Sequence, residues 1–182
     1  MRLRRIEERF GDRVVIERRS FALRPSPDPT ARFRGTYREQ GWQRAARLAA
    51  PDGVAFKMWE RDDFPTWSIP ALAAAKCAGF QGKEAYDRLH YALFEAFFTR
   101  GKNIANRDEI FEVAQECGLD MERFRADYER GEGQKLAIEE YEEAINHFMV
   151  NAVPTVFFDK KRVVGAVPLQ EYLDVLEHLG IH

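Results

Sequence analysis

Apolar and polar positions recur along this chain in two periods. Between Lys83 and Arg100, Tyr86, Leu89, Leu93, Phe94 and Phe97 fall three and four residues apart, which predicts a helix that Gly101 stops. Ile138, Tyr141, Ile145 and Phe148 repeat that spacing, with Glu139, Glu140, Glu142 and Glu143 mostly on the other face. Leu169, Tyr172, Leu173, Leu176 and Leu179 form the stripe of a last helix, opened by Pro168 and closed by Gly180. Leu3, Ile6 and Phe10 mark a short helix that ends at Gly11, and residues 36–50 read as another, with Tyr37, Trp42, Ala45 and Leu48 inward. Start and stop residues divide the middle of the chain. Ser68 and Pro70 open one helix, Asn106 and Glu109 resemble a capping box for residues 107–117, and Asp120 caps a short helix. Gly131 and Gly133 break the chain before the long acidic one.

The other period is two. Residues 14–21 are β-branched and predict a strand, and residues 54–58 a short strand or an extended edge. Residues 155–158 and 162–164 flank the polar connection Asp159-Lys-Lys161 and predict an antiparallel hairpin. The run Arg24-Pro-Ser-Pro-Asp-Pro29 excludes regular structure between them. This order predicts an α/β fold. Residues 1–60 and 150–182 form one domain, and residues 61–149 form an inserted all-helical subdomain.

Composition narrows the function classes. The chain has 182 residues, 45% of them hydrophobic and 13% aromatic, enough for a substantial core. No apolar run is long enough to span a bilayer, and MRLRRIEERF lacks the apolar core of a signal peptide, so no membrane partner and a cytoplasmic location are expected. Net charge is −2, yet residues 1–50 hold thirteen Lys and Arg against six Asp and Glu, leaving −9 for the rest. The arginines alternate with Glu7, Glu8, Asp12 and Glu17 and match no nucleic-acid motif, so no nucleic-acid partner is expected. Cys77 and Cys117 are forty residues apart, neither a disulfide framework nor a metal spacing, and are expected to be reduced, mostly buried thiols. His90, His147, His178 and His182 are scattered, so no metal site is expected. Trp42, Trp59 and Trp67 are read as core residues.

The chemistry-bearing position is Pro154, at the mouth of the strand Thr155-Val-Phe-Phe158. A proline there removes a ladder donor, so it belongs at a first residue or an edge. A long helix, then Asn151-Ala-Val-Pro-Thr155, a strand, a tight hairpin, Gly165 and a final helix resembles the C-terminal half of a thioredoxin-like fold. The chain resembles the DsbA family of thiol-disulfide oxidoreductases, in particular its FrnE-like branch. Glutathione transferase kappa and 2-hydroxychromene-2-carboxylate isomerase are more distant relations. The stretches that carry the resemblance are Phe21-Ala-Leu-Arg-Pro25 and Ile69-Pro-Ala-Leu-Ala-Ala-Ala-Lys76. They continue with Ala96-Phe-Phe-Thr-Arg-Gly-Lys-Asn-Ile-Ala105, Cys117-Gly-Leu-Asp120, Val153-Pro-Thr-Val-Phe157 and Gly165-Ala-Val-Pro168. Of these, Val-Pro-Thr and Gly-Ala-x-Pro are specific.

The resemblance implies a cis bond before Pro154 and a substrate wall formed by Val153, Pro154 and Thr155, with the Val153 backbone pairing to a peptide. It also implies two cysteines two residues apart at a helix start, where the helix dipole lowers a thiol pKa. This sequence holds no such pair, and its first strand is missing, with Met1 falling inside the motif's helix. The expectation is a DsbA-family oxidoreductase in truncated form, acting on a protein dithiol or a small thiol, with no catalytic residue named here. One alternative is a naturally degenerate, non-catalytic peptide-binding module. Another is a glutathione-dependent isomerase or transferase, for which glutathione would be the cofactor. A missing strand leaves open edges, to be closed by rearrangement, by direct pairing or by strand exchange in a homodimer.

Overall fold

The computed structural model describes residues 1–182. The chain divides into two compact units, Met1–Arg19 with Glu143–His182, and Ser20–Glu142. The expected boundaries at residues 60 and 149 therefore move to 19 and 142. The cause is aromatic packing: Phe33, Trp42, Trp59 and Phe64 are buried in one cluster with Phe97 and Phe98 of the helical block. Trp42 meets Phe97 edge to face at 4.9 Å between centroids, and its indole N–H donates to the Lys57 carbonyl at 3.0 Å. Residues 20–60 are thereby tied to the helices.

The larger unit contains α2 (Tyr37–Ala49), α3 (Ile69–Gly79), α4 (Lys83–Phe98), α5 (Arg107–Glu116), α6 (Met121–Glu129) and most of α7 (Glu132–Asn146). Alanine-rich α3 is its axis, with Ile69, Ala71, Ala73, Ala74, Ala75, Cys77 and Ala78 all buried. Small side chains let α4, α5 and α6 approach closely, and Leu89, Leu93, Ile110, Val113 and Phe124 fill the space between them. Gly133 does not break the chain as expected; Gly131 does, with φ 75°. Gly133 lies inside α7 at a contact so close that a Cβ would meet the Ala73 carbonyl oxygen at 2.4 Å and the Cys77 sulfur at 2.5 Å. Ser68 is no side-chain cap, because its hydroxyl accepts from the Arg24 N–H at 3.0 Å. Asn106 caps α5, accepting from Asp108 and Glu109 N–H. Glu109 does not reach back; its carboxylate grips Arg61 and the Asn103 N–H. Tyr37 and Leu48 point outward, and only Trp42 of α2 is buried.

The smaller unit contains α1 (Arg2–Phe10), a 3-10 turn at Gly11–Arg13, β1 (Thr155–Phe158), β2 (Lys161–Val164) and α8 (Leu169–His178). β1 and β2 pair antiparallel, Thr155 with Val164 and Phe158 with Lys161. The turn is two residues, with Asp159 at φ 51°, a conformation Asp tolerates. Ile6 and Phe10 of α1 and Tyr172 and Leu176 of α8 form the core, with Val14, Ile16, Val156, Phe158 and Val163 half-buried against it. The strand expected at residues 14–21 does not form, and of the two readings of residues 54–58 the strand does not form either. The only sheet is β1 with β2. Residues 14–19 alternate inward and outward as a strand does, yet no backbone ladder joins them to β1, so pattern without a partner gives no strand.

Candidate functional site

Helix α7 ends at Asn146, and Met149 takes φ 52° as the chain turns toward the hairpin. The peptide bond between Val153 and Pro154 is cis. Two hydrogen bonds fix the loop on either side of the proline. The Thr155 hydroxyl donates to the Ala152 carbonyl at 2.7 Å, and the Gly165 N–H donates to the Pro154 carbonyl at 2.8 Å. The second bond continues the hairpin ladder by one step. Because hydrogen-bonded and open pairs alternate in an antiparallel ladder, the N–H and C=O of Thr155 and Phe157 then lie on the edge away from β2.

Side chains follow the same parity. Val156, Phe158 and Val163 turn to the α1/α8 core, so Thr155, Phe157, Arg162 and Val164 share the opposite face. Val153 and Phe157 are each 41% exposed. Phe148, expected on the inward face of the long helix, lies beyond the helix end, 43% exposed, with its ring 5.3 Å from that of Phe157. The Arg162 guanidinium reaches the Phe148 and Met149 carbonyls at 3.4 Å each and pins that turn to β2. The result is a short open strand edge beside the exposed Phe148–Phe157 ring pair, with Val153 and Met149 exposed on the loop that leads to it. Such a surface can accept an extended peptide by backbone pairing, with its side chains against these apolar residues. Sequence reasoning named Val153, Pro154 and Thr155 but missed Phe148 and Phe157. The signal for Phe157 was available in the parity of the strand; that for Phe148 depends on where α7 ends.

The two thiols stand apart from this loop in sequence and chemistry. Cys77 is fully buried in α3, and burial pushes its thiol up to about 11, against which a hydrogen bond from the Gly133 N–H acts weakly. Burial also raises the half-buried Cys117. Both are free thiols. A thiol raised by desolvation carries less thiolate at neutral pH than an ordinary one.

The chain is 27% identical over 160 residues to YwbO of Bacillus subtilis, covering 86% of this chain and 78% of that one. It is 30% identical over 129 residues to the ClpXP adapter protein SpxH of Halalkalibacterium halodurans, covering 67% of this chain, and 32% identical over 116 residues to SpxH of Shouchella clausii, covering 60%. The chain spans only 42% and 38% of the length of those two adapters. In structure it is similar to a Streptomyces coelicolor protein assigned as a DsbA oxidoreductase, with TM-score 0.80 and 21% identity over 100% of this chain and 83% of that one. It is also similar to a Nitrosomonas europaea protein assigned as a protein disulfide isomerase, with TM-score 0.76 and 14% identity over 98% of this chain and 89% of that one. Residues 1–177 match the DSBA-like thioredoxin domain. The fold is thus thioredoxin-like, its hairpin and flanking helices interrupted by a helical block, and the chain belongs to the DSBA-like thioredoxin domain family.

Proposed function

We propose that this chain is the substrate-holding part of a FrnE-like thiol-disulfide oxidoreductase. Its redox dithiol is carried on polypeptide ahead of Met1 in a longer form of the protein. The observation that carries the reading is the loop at Val153-Pro154-Thr155. It pairs an exposed residue before the proline with an open strand edge and exposed apolar side chains, in a chain whose Cys77 is buried, whose Cys117 is half-buried, and whose two thiols are both raised in pKa. Pro154 has no N–H and so keeps a competing donor out of the space in front of the loop. A protein dithiol or disulfide in extended conformation is the substrate class that fits, with the Val153 backbone as its pairing partner.

The test has two arms. The reading frame upstream of Met1 should encode a Cys-x-x-Cys, and the extended protein should reduce insulin while residues 1–182 alone should not. An upstream frame without the motif, or an extended protein without activity, defeats the proposal. The similarity to proteins named as ClpXP adapters favours a second reading, in which the same surface holds a partner polypeptide without thiol chemistry. Peptide binding by residues 1–182 that Val153→Asp abolishes, in a protein with no upstream cysteine pair, would favour that reading.

A further inference from the structure

Residues 14–19 form a strand-shaped edge. Val14 enters it with β-region backbone, φ −134° and ψ 118°, and exposure then alternates residue by residue. Even-numbered side chains turn to the helices. Val14 and Ile16 join the α1/α8 cluster, and the Arg18 guanidinium donates to both Glu7 carboxylate oxygens at 3.1 and 2.5 Å. Odd-numbered side chains face solvent, with Val15 85% exposed. The backbone divides the same way, because successive residues of an extended chain aim their N–H and C=O at opposite edges. The even edge is engaged at both ends: the Val14 N–H donates to the Gly11 carbonyl at 3.2 Å, and the Ser20 N–H to the Glu140 carboxylate at 2.6 Å. On the odd edge, the backbone groups of Glu17 and Arg19 have no protein partner.

We propose that this odd edge is the contact by which two copies of the chain pair, antiparallel about a two-fold axis at Arg18. Facing residues must share parity if the even side chains of both copies are to stay over their own helices. That leaves few registers. An axis at Glu17 sets Glu17 opposite its own copy and Arg19 opposite Val15, and an axis at Ile16 sets Glu17 opposite Val15, so neither brings opposite charges of the two copies face to face. Within one chain Glu17 and Arg19 already form an ion pair at 2.8 Å, and Arg19 also meets Glu143 at 3.3 Å. An axis at Arg18 sets Glu17 of each copy opposite Arg19 of the other, so the two pairs merge into one four-charge cluster of alternating sign on the solvent face. In that register the four ladder bonds come from Glu17 and Arg19, whose backbone groups are open, and the Ser20 N–H stays with Glu140. The two Arg18 side chains at the axis each keep their own Glu7 as counter-ion. So short an edge buries less than a permanent dimer does, so the pairing is reversible and concentration-dependent.

Sedimentation equilibrium of the full chain tests this, with circular dichroism to check folding. The wild-type chain should dimerise as concentration rises. Glu17→Arg and Arg19→Glu should each weaken dimerisation roughly tenfold or more, and the doubly reversed chain should return to within about threefold of wild type. In a Cys117→Ser background, oxidising a mixture of Glu17→Cys and Arg19→Cys chains should give a mixed disulfide dimer. Facing Cα atoms in a hydrogen-bonded pair lie about 5.5 Å apart, within disulfide reach. A wild-type chain that stays monomeric at every accessible concentration overturns the proposal. So does a double reversal no better than the single ones, or Glu17→Cys alone cross-linking as readily as the mixture.

Discussion

The two compact units hold themselves together on different scales. In the unit of residues 20–142, one apolar cluster contains fifteen buried side chains, from Ala71 to Phe124. In the unit that carries Val153, Pro154 and Thr155, the corresponding cluster contains four, Ile6, Phe10, Tyr172 and Leu176, surrounded by side chains that remain half exposed. The contrast has a direct cause. Three helices packed around alanine-rich α3 can close on all sides, whereas a two-stranded hairpin with open edges and one open face cannot. Stability is therefore concentrated away from the candidate site, and the site sits in the unit with apolar surface still to cover. That is the arrangement expected of a surface that gains its remaining contacts from another polypeptide.

The hardest test of this contrast is the removal of a large side chain from each core. Phe124 is fully buried, its ring 5.6 Å from that of Phe111. Phe124→Ala should cost about 3–5 kcal/mol, read from urea denaturation followed by helical circular dichroism. A loss under about 1 kcal/mol would show that the helical cluster is not the main store of stability. The matching change in the smaller unit is Leu176→Ala, from a site that is 2% exposed. Its local cost is about 2–4 kcal/mol, but the loss should be confined. Hydrogen exchange should show α1 and α8 losing protection while α3, α4 and α5 keep theirs. Equal loss of protection in both units would break the comparison.

These differences were partly legible in the sequence. The helices were, because the apolar spacing of three and four residues in α4 is a local signal, and start and stop residues mark α3, α5 and α6. The hairpin was too, since Asp159-Lys-Lys161 separates two β-branched runs. The strand expected at residues 14–21 was misread for a reason pattern cannot supply. Alternation marks a segment fit for a sheet, and only a paired neighbour makes it a strand. The division of the chain was misread because it is set by where Phe33, Trp42 and Trp59 pack, a long-range fact. At the candidate site, Val153, Pro154 and Thr155 came from a resemblance, whereas Phe148 and Arg162 became visible only once the end of α7 and the register of β2 were known.

A smaller effect sharpens the contrast through pH. Cys77 titrates near 9 in an unfolded chain and at about 11 when buried in α3. Above pH 9 the unfolded chain releases a proton that the folded one keeps. The stabilisation is therefore complete below pH 9 and is lost as pH rises toward 11. The amount at stake is up to about 2–3 kcal/mol, and it belongs to the larger unit. Cys77→Ala should flatten the alkaline fall of its transition, though not abolish it, because burial also raises Tyr128 in the same unit. Alkylation should label Cys117 in the folded chain well before Cys77. Rapid labelling of Cys77 below the unfolding transition would mean that α3 is not the closed axis it is taken to be.

The smallest expected effect concerns helix ends, where the units again differ. In the larger unit, Thr36, Asn106 and Asp120 cap α2, α5 and α6 with side-chain oxygens. In the smaller one, α1 and α8 begin at Met1 and Pro168 with no side-chain cap. Asn106→Ala should cost the larger unit about 1 kcal/mol, since it orphans the Asp108 and Glu109 N–H groups together. The converse change adds a cap where none exists. Pro168 already has the extended backbone of an N-cap, φ −53° and ψ 151°, so Pro168→Asp can present a carboxylate to the first N–H groups of α8. Losing a proline loosens the unfolded chain and offsets part of that gain, by about 0.4–1 kcal/mol. The net should be a stabilisation of a few tenths of a kcal/mol, seen as increased exchange protection in α8 with α5 unchanged. A destabilised α8 would mean that the rigidity of Pro168, and not a missing cap, governs how that helix begins.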